Sequence, residues 1–135
     1  MDLIAYCDGG SRGNPGPAAV GVVLVNAAGR VVSTRGEFIG VHTNNQAEYV
    51  ALLRALELAA ALGAKRVACY SDSQLLVKQL RGEYAVRNPG LRRLHDGVRR
   101  KEAAFEEVTY ERVGREHPLV RLADRLLNEA LDARS

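Results

Sequence analysis

Tryptophan is absent from this sequence, and aromatic residues make up only 5% of it. Base stacking on an aromatic platform is therefore a poor expectation for any binding mode. Cysteine occurs twice, at Cys7 and Cys69, with no metal-ligand spacing. That excludes a disulfide scaffold and leaves two buried, reduced thiols as the expectation. No apolar run approaches the roughly 20 residues of a membrane helix. The opening Met1-Asp2-Leu3-Ile4-Ala5-Tyr6 lacks the features of a signal peptide. A cytoplasmic protein without membrane contact is expected. Charge of one sign is lacking too: 19 Lys and Arg against 16 Asp and Glu give a net charge of +3. This permits a polyanionic partner without demanding one. Repeats, linkers and low-complexity tracts are missing. Residues 1–135 thus read as one globular domain, large enough to bury a core without staples.

What is present is a clear alternation of elements. Leu3 to Cys7 is a short apolar run that reads as a buried strand, followed by a dense turn region from Gly9 to Pro17. Ala18 to Asn26 and Arg30 to Gly40 read as two further strands. Ala27-Ala28-Gly29 between them fits a hairpin with a left-handed glycine. Asn45 to Leu62 is a helix with N-cap oxygens on Thr43, Asn44 and Asn45, and Gly63 closes it. A strand over Arg66 to Ser71 precedes a helix that Asp72 can cap, running to about Leu80. Asn88-Pro89-Gly90 leads into a helix from Leu91 to Ala104. A strand over Glu107 to Val113 and a helix over Leu119 to Leu131 complete the chain. This order predicts an α/β fold with a mixed sheet and helices packed on it.

Four carboxylates stand in unusual places. Asp8 ends the first strand and Asp72 the fourth. If those strands are parallel neighbours, both acids emerge at one sheet edge, where ligands bind in open α/β sheets. Each could equally be a turn or capping residue. Glu48 falls beside Leu52 and Ala59, on the order of 120–180° from the solvent side marked by Arg54 and Glu57. A carboxylate near a core arc needs a cation or hydrogen bonds, or else it completes a capping box with Asn45. Asp124 lies between the polar arc of Arg121, Arg125 and Asn128 and the apolar arc of Val120, Leu127 and Leu131. Clustered carboxylates repel unless divalent cations neutralise them. Oxygen ligands suit magnesium, with manganese the alternative. Two such ions can activate a water and stabilise a leaving oxygen in phosphodiester displacement.

Four stretches together resemble the ribonuclease HI family. They are Asp8-Gly9-Gly10-Ser11-Arg12-Gly13-Asn14-Pro15-Gly16-Pro17, Thr43-Asn44-Asn45-Gln46-Ala47-Glu48-Tyr49, Ser71-Asp72-Ser73-Gln74-Leu75-Leu76-Val77 and Ala123-Asp124-Arg125-Leu126. The resemblance runs from about Asp2 to Leu131. It implies a ribonuclease H-like fold of five strands, three antiparallel and then two parallel, flanked by helices. It implies hydrolysis of the RNA strand of RNA–DNA hybrids with two magnesium ions, leaving 5′-phosphate and 3′-hydroxyl ends. It assigns Asp8, Glu48, Asp72 and Asp124 as metal-binding carboxylates. It places Gly9, Ser11, Asn14, Thr43, Asn44, Asn45 and Gln74 against the hybrid, where short polar groups reach sugar and phosphate without reading sequence, and the 2′-hydroxyl marks the RNA. The protein is expected to act as a monomer. A same-fold nuclease for double-stranded RNA or DNA junctions, and a non-catalytic hybrid-binding module, are the alternatives.

The sequence departs from the best-known bacterial members. Their mobile-loop histidine, ten residues before the last Asp, corresponds to Gly114, followed by Arg115-Glu116-His117. His117 could move a proton from this loop, or Arg115 could offset phosphate charge. Arg-Glu at this point looks more like an archaeal-type branch, though Pro118-Leu119-Val120 lacks that branch's asparagine. The basic, Trp-bearing protrusion of those members is missing, and no separate hybrid-binding domain is expected before the fold. The basic helix with Arg92, Arg93, Arg99, Arg100 and Lys101 is a candidate substitute. His42 and His95 read as surface or packed side chains.

Overall fold

The computed structural model describes residues 2–134. Its elements in chain order are β1 (Asp2–Ser11), β2 (Gly16–Asn26), β3 (Val31–His42), α1 (Asn44–Ala61), β4 (Arg66–Ser71), α2 (Gln74–Leu80), α3 (Pro89–Glu102), β5 (Glu107–Arg112) and α4 (Pro118–Asp132). The five strands form one sheet in the order β3-β2-β1-β4-β5. β1, β2 and β3 pair antiparallel, whereas β4 and β5 run parallel to β1. The expected mixed sheet is thus present.

Helices cover both faces. Leu3, Ala5 and Cys7 point from β1 toward α1, and this main core continues to Leu76 and Leu80 of α2 and Val98 of α3. The alternate residues Ile4 and Tyr6 pack with Leu119, Leu122 and Ala123 of α4. β2 crosses between the two layers and is buried on both sides, so Ala18 to Val25 is a continuous apolar run rather than an alternating one. The β2–β3 hairpin forms as expected. Gly29 has φ +84°, and the Asn26 side-chain oxygen accepts from the backbone N–H groups of Ala28 and Arg30.

Three expectations are corrected. Asp8-Gly9-Gly10 do not begin a turn; β1 continues to Ser11, with Gly9 opposite Val20 and Ser11 opposite Ala18. A Cβ on Gly9 would overlap the Ala47 carbonyl. The glycine is there for close approach of α1 to the strand, a use indistinguishable by composition from a turn. α1 is capped by Thr43, not Asn45: Thr43 Oγ1 accepts from Gln46 N at 3.1 Å, and Gln46 Oε1 accepts from Thr43 N at 2.9 Å. The capping box therefore closes on Gln46, and Glu48 has no part in it. α2 is capped by Ser73, whose Oγ accepts from Leu76 N at 3.2 Å, not by Asp72. Smaller shifts extend β3 to His42 and start α3 at Pro89, with Asn88 as its cap.

Candidate active site

The parallel pairing of β1 and β4 sets Tyr6 opposite Tyr70. Two residues further along the chain stand Asp8, still within β1, and Asp72, just past the end of β4, so both carboxylates emerge side by side. The contact between Gly9 and Ala47 lays the first turns of α1 across β1 and brings Glu48 to the same point. Carboxylate oxygens of Asp8, Glu48 and Asp72 all lie within 4.8 Å of one another. Asp124 arrives from the other face. Asp8 pairs with Gly21, and Gly21 pairs with Gly36. These two glycines form a trough across β2 and β3. Added Cβ atoms would collide with the carbonyls of Ala123 and Leu126, respectively. The α4 backbone sits in this trough, and Asp124 thereby joins the groove lined by the other three acids.

Burial dominates the electrostatics. It pushes the Asp8 carboxyl up to about 8, and the charges of Glu48, Asp72 and Asp124 and a hydrogen bond with Asp124 push the same way. Glu48 is also raised to about 8, by burial and then by the Asp72 charge. Hydrogen bonds from Ser71 and Ser73 and the charge of Arg115 oppose that rise. Ser71 Oγ donates to Glu48 Oε2 at 3.4 Å. Arg115 is the one cation in ion-pair contact with these acids among the described residues; its Nε donates to Asp72 Oδ2 at 3.4 Å, with the side chain 91% exposed. A set of carboxylates this crowded, with one loosely placed cation, is a site that added positive charge would stabilise. All ligating atoms on offer are hard oxygens, which fits magnesium or manganese and not a thiophilic metal.

His117 is not brought to the acids. It caps α4, its Nδ1 accepting from Leu119 N at 3.1 Å, and its ring stacks on Tyr6 with centroids 4.8 Å apart. Gly9, Ser11 and Asn44 line the groove. Ser11 donates to Asn44 Oδ1 through its backbone N–H at 2.9 Å and its hydroxyl at 3.1 Å. Asn44 N donates in turn to Asn14 Oδ1 at 3.0 Å, which ties the β1–β2 turn to the start of α1. Thr43 is occupied as a cap, while Asn45 and Gln74 are exposed on first helical turns. On α3, Arg99 donates to Glu102 and to the Leu80 carbonyl, and Lys101 pairs with Glu57; Arg92, Arg93 and Arg100 are exposed. Cys7 and Cys69 are both buried on the α1 side, with burial raising each thiol. His42 packs against the Ile39 carbonyl and His95 against the edge of Tyr49.

Several residues of the site went unread in the sequence. Gly21 and Gly36 carried a signal, since a glycine inside a strand marks close backbone approach. Arg12, Glu116 and Arg121 also line the groove, but nothing local distinguishes them from other surface charges.

Known proteins are similar in sequence and fold. A family model described as reverse transcriptase-like matches residues 6–130. Ribonuclease HI of Halobacterium salinarum is 48% identical over 95% of the chain. The crystal structure of the RNase H1 from that archaeon superposes with a TM-score of 0.94, at 47% identity, covering 98% of this chain and 99% of that one. The N-terminal RNase H domain of Rv2228c from Mycobacterium tuberculosis gives a TM-score of 0.90 at 38% identity, over 98% of this chain and 100% of that one. LC11-RNase H1, solved in complex with an RNA/DNA hybrid, gives 0.92 at 36% identity over 98% of each chain. The chain spans 63% of the length of the curated Halobacterium relative and 36% of that of the mycobacterial ones. With nearly every residue from β1 to α4 aligned on one fold with these proteins, the chain belongs to the ribonuclease HI, or type 1 ribonuclease H, family.

Proposed function

We propose that this protein is a divalent-metal-dependent endoribonuclease that hydrolyses the RNA strand of RNA–DNA hybrids, leaving 5′-phosphate and 3′-hydroxyl ends. The observation that carries the reading is the convergence of Asp8, Glu48 and Asp72 within 4.8 Å, with Asp124 in the same groove. The hybrid-bound relative LC11-RNase H1 supports the substrate. All four carboxylates come from one chain, so a monomer suffices.

Asp8, Glu48, Asp72 and Asp124 would hold two magnesium ions, with manganese as the alternative. When bound, such ions supply Lewis-acid charge to the attacking and leaving oxygens of the displacement. The protein's own contributions are distinct. Ser71 steadies Glu48 through its hydroxyl. The exposed Arg115 guanidinium, next to Asp72, offsets charge on the scissile phosphate. Asn14, Asn44 and Ser11 form a connected polar edge beside Asp8 that positions the sugar–phosphate backbone. Gly9 lets α1 close on β1 and so sets Asn44 beside that edge, and Thr43, Asn45 and Gln74 extend it. His117 caps α4 and stacks on Tyr6, and the loop's catalytic role falls to Arg115 instead.

A divalent-cation titration with cleavage as readout tests the reading. Wild-type protein should be silent in chelator and active with magnesium, and Asp8→Asn and Asp72→Asn should each fall below a few per cent of wild-type cleavage while still folding. Substantial activity in both variants, or activity in chelator, overturns it.

A further inference from the structure

The α4 wall of the groove carries arginines that the nuclease chemistry above does not use. Arg12, on the turn after β1, reaches across to the C-terminal end of α4. Its Nη2 lies 2.7 Å from Asp132 Oδ1 and 3.5 and 3.4 Å from the backbone and side-chain oxygens of Asn128. All of these contacts use one nitrogen. Nε and Nη1 have no protein partner among the described residues, and the residue lines the groove that holds the acids. Arg121 lines the same wall, on the helical face shared with Asp124 and Asn128.

The Arg12–Asp132 pair is a poor structural clamp. Its side chains are 46% and 68% exposed, and exposed pairs of this kind add little stability and weaken in salt. A guanidinium with two unused donor nitrogens, beside a site for phosphodiester chemistry, is better matched to the paired oxygens of a phosphate than to one carboxylate oxygen.

The geometry points to Arg12, with Arg121 beside it, as a subsite for a backbone phosphate of the cleaved strand, next to the scissile one. Asp132 parks the Arg12 side chain while no nucleic acid is bound, and phosphate displaces it. This rests on the nuclease reading above. It adds a sequence-independent grip on the α4 side, in a chain that lacks a basic protrusion.

The test measures binding of a fluorescein-labelled RNA–DNA hybrid to full-length Asp72→Asn protein by anisotropy, over a series of KCl concentrations. Adding Arg12→Ala should weaken binding about 10-fold, the scale of a lost charge-assisted hydrogen bond, and flatten the slope of log Kd against log salt by about one. Arg12→Lys should restore the slope but only part of the affinity. Arg121→Ala should act like Arg12→Ala, to a smaller extent. Asp132→Asn decides between grip and brace. It should bind as well as its parent or better, because Arg12 is released. If Asp132→Asn weakens binding as much as Arg12→Ala, or if Arg12→Ala leaves the salt slope unchanged, the proposal fails. Hybrid cleavage by the wild-type protein is scored separately. Its absence would overturn the nuclease reading, whereas the salt slope reports the phosphate contact whether or not the strand is cut.

Discussion

Asp8 and Glu48 are the residues whose environment departs most from water. Their carboxyls titrate near 8, against ordinary values of 3.8 and 4.5. In this pH range the folded protein holds protons that the unfolded chain has already released. The stability linked to these groups is therefore complete below about pH 4 and is lost as pH rises toward about 8. Melting curves in chelator should show Asp8→Asn gaining on wild type as pH is raised from about 5 to about 9, and exceeding it at the upper end. A variant that loses ground with rising pH would contradict the crowding of charge. The loop before α4 gives a second contrast between residues. Arg115→Ala should lower turnover by about 10- to 100-fold, and Arg115→Lys should recover only part, since a point charge replaces a planar fork. His117→Ala should leave turnover of the folded protein unchanged and lower stability by about 1 kcal/mol, the usual effect of a lost N-cap. A kinetic ranking in the reverse order would restore the histidine to the reaction. Sequence alone left the two unresolved, because a histidine before a proline is equally compatible with a loop and with a cap.

Among the elements, α4 shows how a sheet can recruit a remote acid. Asp124 reaches the groove because Gly21 and Gly36 lower the sheet surface beneath Ala123 and Leu126. Gly21→Ala should push the helix outward, destabilise by about 1–3 kcal/mol as overpacking does, and depress cleavage more than the loss of folded protein explains. Thermal melts alongside turnover would check this; unchanged melting and turnover would show that the trough is not required. The element order was readable because β1 is a short apolar run cut off by turn-type residues while α1 is long and helically periodic, and because β2 must be apolar throughout when covered on both faces. The pairing of Asp8 with Asp72 was readable as well, since two strands ending in acids converge if parallel. Asp124 was legible only through the family resemblance, as its helical angle places it on a boundary until α4 is seated. The caps were legible only in part for a related reason: Thr43 is one of three candidates for α1, and Asp72 is the expected cap of α2 where Ser73 caps it. Thr43, Asn44, Asn45, Asp72 and Ser73 all carry side-chain oxygens suited to capping, and only the backbone path selects Thr43 and Ser73. That selection is what leaves Glu48 and Asp72 available to the site.

For the whole molecule, the layers divide the work. α1, α2 and α3 bury the large core on one face, and α4 alone covers the other. The acids collect where the two layers meet at the ends of β1 and β4. None of the described helices is long and apolar enough to cross a membrane. A net charge of only +3 leaves grip on a polyanion to individual arginines rather than to an overall field. Addition of magnesium should raise the melting temperature, because the ions bind the folded acids and not the dispersed ones. The rise should shrink in Asp8→Asn; an equal rise in the variant would place the ions elsewhere. The most direct measurement is cleavage of end-labelled duplexes in magnesium, with each strand labelled in turn, comparing RNA–DNA hybrid, double-stranded RNA and double-stranded DNA. The RNA strand of the hybrid should be cut, with its DNA strand and both homoduplexes intact. Cleavage of the DNA strand, or of double-stranded RNA at a comparable rate, would contradict the account.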